Sequence, residues 1–333
     1  MGLKETATHR AALALCRKFP DAPARTLARK LHDENPALFP NLDLARSAVR
    51  RVFGVVGERH RKQPHAKLMR KPRKAGAVPL PESSAAAWEP FVLDANRVLV
   101  LSDIHLPAHD LVALGAAVKF GVKYKPDAIV INGDLFDFYQ ISRFDRDPTK
   151  DKISWELECG RQFFAHLRSQ FGKVPIVLKL GNHDERWDKY LQSAAPLLFD
   201  IEAVRNAWHG PAGIREHGIQ LVSDQRPIML GKLRVLHGHE KGRGVSSPVN
   251  QARGAFLRLL SSVLEGHGHR QSEHTERTAD GDIIACWSTG CLCDLYPEYA
   301  RINRWSQGFA TVEVEKSGDY HVELKRIIDG KVF

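Results

Sequence analysis

The sequence predicts an α/β fold preceded by a small helical module. From Arg97 onward, short apolar segments alternate with segments of helical periodicity, a pattern typical of sheets that helices cover on both faces. Before Arg97 the chain shows helical spacing of apolar residues and no strand pattern. With 333 residues, the chain is long enough for one large domain and a smaller one.

The elements of the α/β part follow one another in a regular order. We predict strands in "RVLVLSD", "DAIVINGD" and "VPIVLKLGNHD", each followed by a helix, of which "ISWELECGRQFFAHLRSQF" is the longest. A further strand is predicted in "KLRVLHGHE", and a helix from Pro248 to Leu264. Turn signals at "ADGD" and "KSGD" indicate hairpins. We therefore expect an antiparallel portion in the second half of the chain.

The first quarter of the chain carries all of the excess positive charge. Residues 1–90 contain 18 Lys/Arg and 8 Asp/Glu, whereas residues 91–333 contain 31 of each kind. Three helices are predicted within residues 5–75, and the last of them is rich in arginine. This pattern fits a nucleic-acid-binding unit of the helix-turn-helix type or, equally, a solvated helical lobe that docks on the larger domain.

Composition also suggests where the domains begin and end. The stretch from Lys67 to Pro90 is rich in Pro, Ala and Ser and has no hydrophobic period, which is typical of a linker. We assign residues 1–75 to the basic helical module, residues 76–95 to the linker and residues 96–333 to the α/β domain.

Nothing in the sequence indicates a membrane or secreted protein. No apolar run approaches the roughly 18 residues of a transmembrane helix, and the N-terminus lacks the apolar core of a signal peptide. Five cysteines form no paired framework, so we expect a cytoplasmic protein that does not bind membranes. Because C-x-C alone is a weak metal signal, we interpret Cys286, Cys291 and Cys293 as core or loop residues.

Polar clusters occur at the end of each predicted strand and in one later loop. In open α/β sheets, ligands bind beyond the carboxyl ends of the strands, so we expect these clusters to converge on one pocket. The candidate residues are Asp103 and His105, Asp134 and Asp137, Asn182 and His183, His237 and His239, and His267 and His269.

These side chains suggest a metal site with oxygen and nitrogen ligands. Carboxylate, imidazole and amide donors without a thiolate suit a borderline divalent metal such as Mn, Fe, Zn, Ni or Co. There are too many candidate ligands for one ion, so we expect two ions that share a carboxylate, clamp phosphoryl oxygens and activate a bridging water. The glycines before Asp134, Asn182 and His267 should allow tight turns and close backbone approach.

The order of these motifs resembles the calcineurin-like metallophosphoesterase superfamily over about residues 97–290. The motifs are D-x-H (103–105), G-D-x-x-D (133–137), G-N-H-D (181–184), H-G-H (237–239) and G-H-x-H (266–269). Singly they carry little information, but together and in this order they are specific. The resemblance implies a sandwich of two central β-sheets flanked by helices. It also implies hydrolysis of phosphate esters through attack by a metal-bridging hydroxide.

The resemblance further implies a role for each matched residue. Seven match metal ligands: Asp103, His105 and His269 for one ion, Asn182, His237 and His267 for the other, and Asp134 for both. His183 matches the histidine that assists the leaving group, and Asp137 the carboxylate that orients it. A general acid near neutral pH also benefits from a second group that fixes its tautomer. His239 is either a ligand or a neighbour of the ligands.

The favoured function is that of a phosphodiesterase or nuclease, with nucleic acid as substrate because of the basic module. One alternative is a phosphomonoesterase that acts on nucleotides or phosphoproteins, and another is a nucleic-acid-binding protein with a silent metal site. Arg186 either contacts a phosphate or is a solvated helix residue. Tyr296, Tyr299 and Trp305 either stack on a base or, as we favour, pack in the core.

Overall fold

The computed structural model describes residues 6–20, 22–53, 82–85, 87–150, 152–223, 225–241 and 250–333. The chain divides into two compact units, residues 1–85 and 86–333. The end of the third predicted helix and the start of the predicted linker, within residues 54–81, lie outside the described residues. Among those described, no helix combines the length and apolar character needed to cross a bilayer.

The first unit contains three helices, as expected: α1 (Ala7–Lys18), α2 (Ala24–Glu34) and α3 (Leu42–Phe53). Thr6 caps α1, because its hydroxyl accepts a hydrogen bond from the His9 amide (3.3 Å). One apolar stripe from each helix enters a shared core. The buried residues of this core are Ala12, Leu15, Cys16, Leu27, Ala28, Leu31, Phe39, Ala45, Val49 and Val52. The unit therefore has a hydrophobic core of its own.

The surface of this unit is basic. Residues 6–53 contain nine Lys/Arg and four Asp/Glu, and eight of the nine cations are exposed. Residues 35–41 join α2 to α3, which is longer than the three- or four-residue turn of a helix-turn-helix motif. The described part is thus a compact basic three-helix unit without the tight turn of that motif.

The second unit is built on two sheets. The larger has seven strands in the order β13-β12-β11-β2-β3-β4-β5. Its parallel half comprises β2 (Arg97–Leu101), β3 (Ala128–Asn132), β4 (Ile176–Lys179) and β5 (Ile219–Val222). Its antiparallel half comprises β11 (Gly308–Val314), β12 (Tyr320–Ile328) and β13 (Lys331–Val332). The predicted hairpin at "KSGD" joins β11 to β12, which confirms that prediction.

The smaller sheet has six strands in the order β1-β6-β7-β8-β10-β9. They are β1 (Phe91–Val92), β6 (Ile228–Leu230), β7 (Leu233–Leu236), β8 (Val263–Glu265), β9 (Gln271–Arg277) and β10 (Ile283–Thr289). Strands β7 and β8 are parallel neighbours, so their carboxyl ends meet at the same edge. The "ADGD" hairpin joins β9 to β10, as predicted.

Helices α4 (Leu111–Tyr124) and α5 (Ile153–Phe171) pack on the outer face of the large sheet, and α9 (Gln251–Leu259) packs on that of the small sheet. Three shorter helices follow β4: α6 (Arg186–Ala194), α7 (Pro196–Phe199) and α8 (Glu202–Arg205). In β2, Leu99 and Leu101 belong to the core shared with α4 and α5, whereas Val98 and Val100 belong to the core between the sheets. Strands buried on both faces explain the continuous apolar runs in the sequence. The predicted sandwich of two sheets flanked by helices is confirmed.

Two sequence-based boundaries differ from the structure. The helix predicted to reach Leu264 ends at Leu259, and Leu264 lies instead in β8 (Pro248 is outside the described residues). Strand β8 is central, and its two apolar residues and one glutamate are all buried. It therefore lacks the alternation of apolar and polar residues by which a strand is detected in a sequence. Residues 91–92, within the predicted linker, pair with β6 as strand β1.

Two glycines in helices test how tightly the outer layer packs. A Cβ on Gly160 in α5 would overlap the ring of Phe136, whereas a Cβ on the exposed Gly115 in α4 would meet nothing within 4 Å. We expect Gly160→Ala to destabilise the fold by about 1–3 kcal/mol through overpacking. We expect Gly115→Ala to stabilise it by about 0.5–1 kcal/mol through backbone entropy. Denaturant unfolding of both variants measures the two changes in the free energy of unfolding. A change in the same direction for both variants would contradict this packing.

Candidate metal centre

Five loops meet where the two sheets adjoin. Strands β2, β3 and β4 are parallel neighbours in the large sheet, and β7 and β8 are parallel neighbours in the small one. Each of these strands ends directly before one of the predicted polar clusters. The last cluster thus follows a strand, not the helix that the sequence predicted. Shared strand direction brings the five clusters together.

Two groups of possible ligands share one carboxylate. In the first group, one donor atom from each of four residues lies within 4.8 Å of the others: Asp103, His105, Asp134 and His269. The second group joins the same Asp134 to His237 and His267 under the same limit. Asp134 Oδ2 is 3.2 Å from His237 Nε2 and 3.8 Å from His105 Nε2. Asp134 therefore lies between the two groups.

The backbone at these residues is strained. Asp103, His105, Asp134, His267 and His269 all have a positive φ, between 51° and 64°. For residues with a Cβ, this left-handed conformation costs about 1–2 kcal/mol each. Such strain persists only where the surrounding structure imposes it, and it is concentrated at functional sites. Five strained residues in one cluster are independent evidence that the cluster has a function.

Two of the predicted glycines permit close approach of the loops. A Cβ on Gly181 would collide with the Asp134 carboxylate, and a Cβ on Gly266 would collide with the Ser102 hydroxyl. The glycines before Asn182 and His267 therefore let neighbouring loops touch, as their positions in the sequence predicted.

Asn132 and Ser102 hold the candidate ligands in place, and sequence reasoning did not single them out. The Asn132 side-chain amide donates a hydrogen bond to the Leu236 carbonyl (2.7 Å). The backbone carbonyl of Asn132 accepts a hydrogen bond from His237 Nδ1 (2.8 Å). His237 therefore directs Nε2 at Asp134. Ser102 donates to Asp103 Oδ2 (2.5 Å). Asn132 was detectable as a polar residue that ends a buried apolar strand.

A buried ion pair fixes the loop after β7. Lys179 is fully buried in β4 and lies 2.8 Å from Glu240. Glu240 in turn accepts hydrogen bonds from the amides of His237 (3.0 Å) and Gly238 (2.6 Å). A lysine inside a buried strand was the sequence signal for this pair. The pair anchors the backbone that carries His237.

Burial and charge act on Asp134 and His237 in opposite directions. Burial raises the pKa of Asp134, but the positive charges of His237 and His183 outweigh it and hold that pKa well below its usual range. Burial lowers the pKa of His237, yet the Asp134 carboxylate raises it to about 10. The pocket thus keeps a buried carboxylate anion, which requires a positive partner.

His183 and Asp137 form a pair at the edge of the first group. His183 Nδ1 is 2.6 Å from Asp137 Oδ1, and the Arg186 guanidinium donates to the Asp137 carbonyl (2.7 Å). Arg186 Nη2 also lies 3.1 Å from His183 Nε2. Burial raises the pKa of Asp137, but hydrogen bonds from His105 and His183 hold it far below its usual range. Arg186 is therefore not a solvated helix residue.

His239 lies outside both ligand groups. Its Nε2 is 3.2 Å from Glu185 Oε1, and its ring lies beside that of His267, with centroids 6.4 Å apart. Among the described residues, neither of the two ligand groups includes His239. The geometry thus favours His239 as a neighbour of the ligands.

The sequence left two interpretations for three aromatic residues, stacking on a base or packing in the core, and the structure separates them. Tyr296 and Tyr299 are 60% and 70% exposed, so the favoured prediction that they pack in the core is wrong. Tyr296 lies in the loop before β11, and Tyr299 lies in the short 3₁₀ helix Glu298–Ala300. Trp305 packs edge-on against His269 with ring centroids 4.2 Å apart.

Cys293 is buried, and its Sγ lies 3.9 Å from Nδ1 of the candidate ligand His269. The C-x-C spacing alone did not indicate this position.

Curated relatives occur in two bacteriophages. The gene 54 protein of Mycobacterium phage L5 is 30% identical to this chain over 254 residues, which are 71% of this chain and 96% of that protein. The gene 54 protein of Mycobacterium phage D29 is 29% identical over 252 residues, with the same shares.

Several solved structures align with this chain at low identity. A single mutant of Vps29 from Entamoeba histolytica is 14% identical, with a TM-score of 0.40 over 71% of this chain and 96% of that chain. YfcE, a phosphoesterase from E. coli, is 14% identical, with a TM-score of 0.33 over the same shares. At these values the likeness supports no functional argument.

The model of one protein family matches the region that holds the site. The match to the calcineurin-like phosphoesterases spans residues 96–290, more than half of the chain. It contains all five loops, both ligand groups and the His183–Asp137 pair. This chain belongs to the calcineurin-like phosphoesterase family.

Proposed function

We propose that the protein is a phosphodiesterase that uses two divalent metal ions to hydrolyse nucleic acid. The observation that carries the proposal is the pair of ligand groups that share Asp134, with His183 beside them. A site for a single structural ion has no use for a shared carboxylate or for an adjacent histidine held by a second carboxylate.

The residues fit two ions by their chemistry. The side-chain oxygen of Asn182 is buried without a hydrogen-bond partner in the described residues, so a cation would satisfy it. Oxygen and imidazole donors suit Mn, Fe, Zn, Ni or Co. The proposed ligands are Asp103, His105 and His269 for one ion, Asn182, His237 and His267 for the other, and Asp134 for both. When bound, such ions supply an activated water at neutral pH and offset negative charge on phosphoryl oxygens.

His183 supplies the proton that the leaving oxygen needs. Asp137 accepts a hydrogen bond from His183 Nδ1, which fixes the ring so that Nε2 points away from Asp137. In the structure Nε2 accepts a hydrogen bond from Arg186 Nη2 (3.1 Å). Once Arg186 binds the phosphate instead, Nε2 can carry a proton and donate it to the leaving oxygen of a phosphate ester. Arg186, which lies 3.1 Å from the same Nε2, is within reach of a phosphate bound there. We assign Asp137 to orient His183, and Arg186 to bind the phosphate.

The choice of nucleic acid rests on the basic first unit. Eight exposed cations on a three-helix core form a surface that attracts a polyanion, whichever module type it represents. A phosphomonoesterase that acts on nucleotides or phosphoproteins has no need of that surface. A binding protein with a silent metal site has no need of His183.

A single comparison of substrates tests the proposal. Protein reconstituted with Mn or Zn is incubated with bis-p-nitrophenyl phosphate, p-nitrophenyl phosphate, and single- and double-stranded DNA and RNA. We expect hydrolysis of the diester and of nucleic acid at higher rates than of the monoester. A preference for the monoester would instead support the phosphomonoesterase, and no hydrolysis at all would support the binding protein.

Metal content tests the shared carboxylate. Protein purified without chelator should contain nearly two ions per chain, and Asp134→Ala should lower this number most, because it removes a contact from both ions. The exposed Asp280, in the β9–β10 turn, provides the control variant Asp280→Ala, which should retain both ions. Elemental analysis gives the counts. One tightly held ion, with no second after addition of Mn or Zn, would contradict the dinuclear site.

Substitution of His183 tests the separation of chemistry from metal binding. His183→Gln should keep the metal content and lower the rate by about 10²–10⁴-fold, and Asp137→Asn should act in the same direction but less. The loss should shrink for substrates with good leaving groups, which need no proton. His166→Gln, on the exposed face of α5, is the matched control. Loss of metal together with activity would mean that His183 is a ligand.

Removal of the basic unit tests its proposed role. A chain that starts at Ala86 should fold, because the second unit has hydrophobic cores of its own. It should hydrolyse bis-p-nitrophenyl phosphate at the full-length rate but bind nucleic acid more weakly and with a smaller salt dependence. Fluorescence anisotropy at several salt concentrations measures both. Full-length protein without affinity at about 50 mM salt would contradict the proposal.

A further inference from the structure

A large cavity opens beside the metal centre. Its volume is about 1120 Å³, and Asn182 and His267 contribute to its wall. Pockets for drug-sized molecules measure about 300–1,000 Å³, so this cavity has room for more than one scissile phosphate and its nearest substituent. Its far side is formed by residues 141–146 and by helix α6.

The described wall of this cavity is basic and contains no carboxylate. Five cations line it: Arg143, Arg146, Arg186, Lys189 and Lys241. Lys241 is neutralised by the buried Glu265 (2.7 Å), and the half-exposed Lys189 pairs with Glu185 (2.7 Å). Arg143 and Arg146 are exposed and form no ion pair within the described chain. Arg146 donates to the Gln140 carbonyl (2.9 Å), which orients it. Charge is therefore available for several phosphates along the wall.

Exposed aromatic rings alternate with these cations. Phe144, between the two free arginines, is 63% exposed, and Tyr190, next to Lys189, is 42% exposed. Both rings line the cavity. Cations that follow a phosphate backbone, combined with rings that receive bases, are the general design of sites for single-stranded nucleic acid.

We propose that this cavity binds a single strand of nucleic acid on either side of the scissile phosphate. Arg143 and Arg146 bind neighbouring phosphates, and Phe144 and Tyr190 stack on unpaired bases. The rings can stack only on unpaired bases, because the faces of bases in a duplex are covered by their neighbours. A phosphopeptide would use one phosphate site and leave the other cations without a partner. The inference rests on the proposed function and assigns its substrate form.

Kinetics of charge-reversal variants test the cavity in the full-length protein. The substrates are a single-stranded hexanucleotide, a twelve-base-pair duplex, a phosphoserine peptide and bis-p-nitrophenyl phosphate. Arg143→Glu/Arg146→Glu should lower kcat/KM for the hexanucleotide about tenfold more than for the small diester, mainly through KM. Phe144→Ala should act in the same direction without a change in charge. Lys123→Glu, an exposed cation on α4, is the matched control and should leave the ratio within about twofold.

Crosslinking provides a measurement that does not depend on activity. A hexanucleotide containing 4-thiothymidine, irradiated with chelator-treated protein, should form adducts on peptides that contain Phe144 or Tyr190. Adducts only on residues 1–85, preference for the duplex or the phosphopeptide, or equal losses on all substrates would each overturn the proposal. If bis-p-nitrophenyl phosphate is not hydrolysed, the proposed function fails, but the crosslinking result still decides whether the cavity binds a strand.

Discussion

The site depends on one junction between the two sheets. Asn132, the last residue of β3, binds Leu236 and His237 at the end of β7 through its side chain and its carbonyl. These two hydrogen bonds join the large sheet to the small one where both sets of loops begin. They are buried, so water cannot replace them at low cost. The junction holds the three polar clusters of the large sheet next to the two polar clusters of the small sheet.

The cluster combines several features that oppose folding. Five residues have left-handed backbone, and Asp103 and Asp134 are buried carboxylates. Each costs free energy that must come from packing elsewhere, here from the cores on both faces of the large sheet. The same constraints hold donor atoms in place before any ligand arrives. Preorganised donors need no rearrangement when charge develops in a reaction, which is where such sites gain their effect.

Positive charge is present in two places with different physical settings. On the first unit it lies on exposed side chains around a three-helix core, which favours attraction of a polyanion at long range. In the cavity, positively charged side chains line the wall beside exposed aromatic rings and the candidate metal centre. This arrangement favours a defined path for a strand of nucleic acid. The two settings suit two steps, capture of a polymer and its placement for cleavage. The net charge of the sequence reveals only the cations of the first unit, because the cations and carboxylates of residues 91–333 are equal in number.

Sequence alone determined the fold class, the three strand–helix repeats after Arg97 and most candidate ligands, because these depend on local periodicity and on motifs that follow each strand. It marks Asn132 and Lys179 only as polar residues in apolar strands and could not show what they bind, since Leu236 and Glu240 are distant in the chain. It misassigned β8 as helix, because a three-residue strand buried on both faces has no period. Tertiary structure alone decided that Tyr296 and Tyr299 are exposed and that Arg143, Phe144 and Arg146 share a cavity with Asn182. Exposure and shared walls arise from packing between distant segments, which no local pattern encodes.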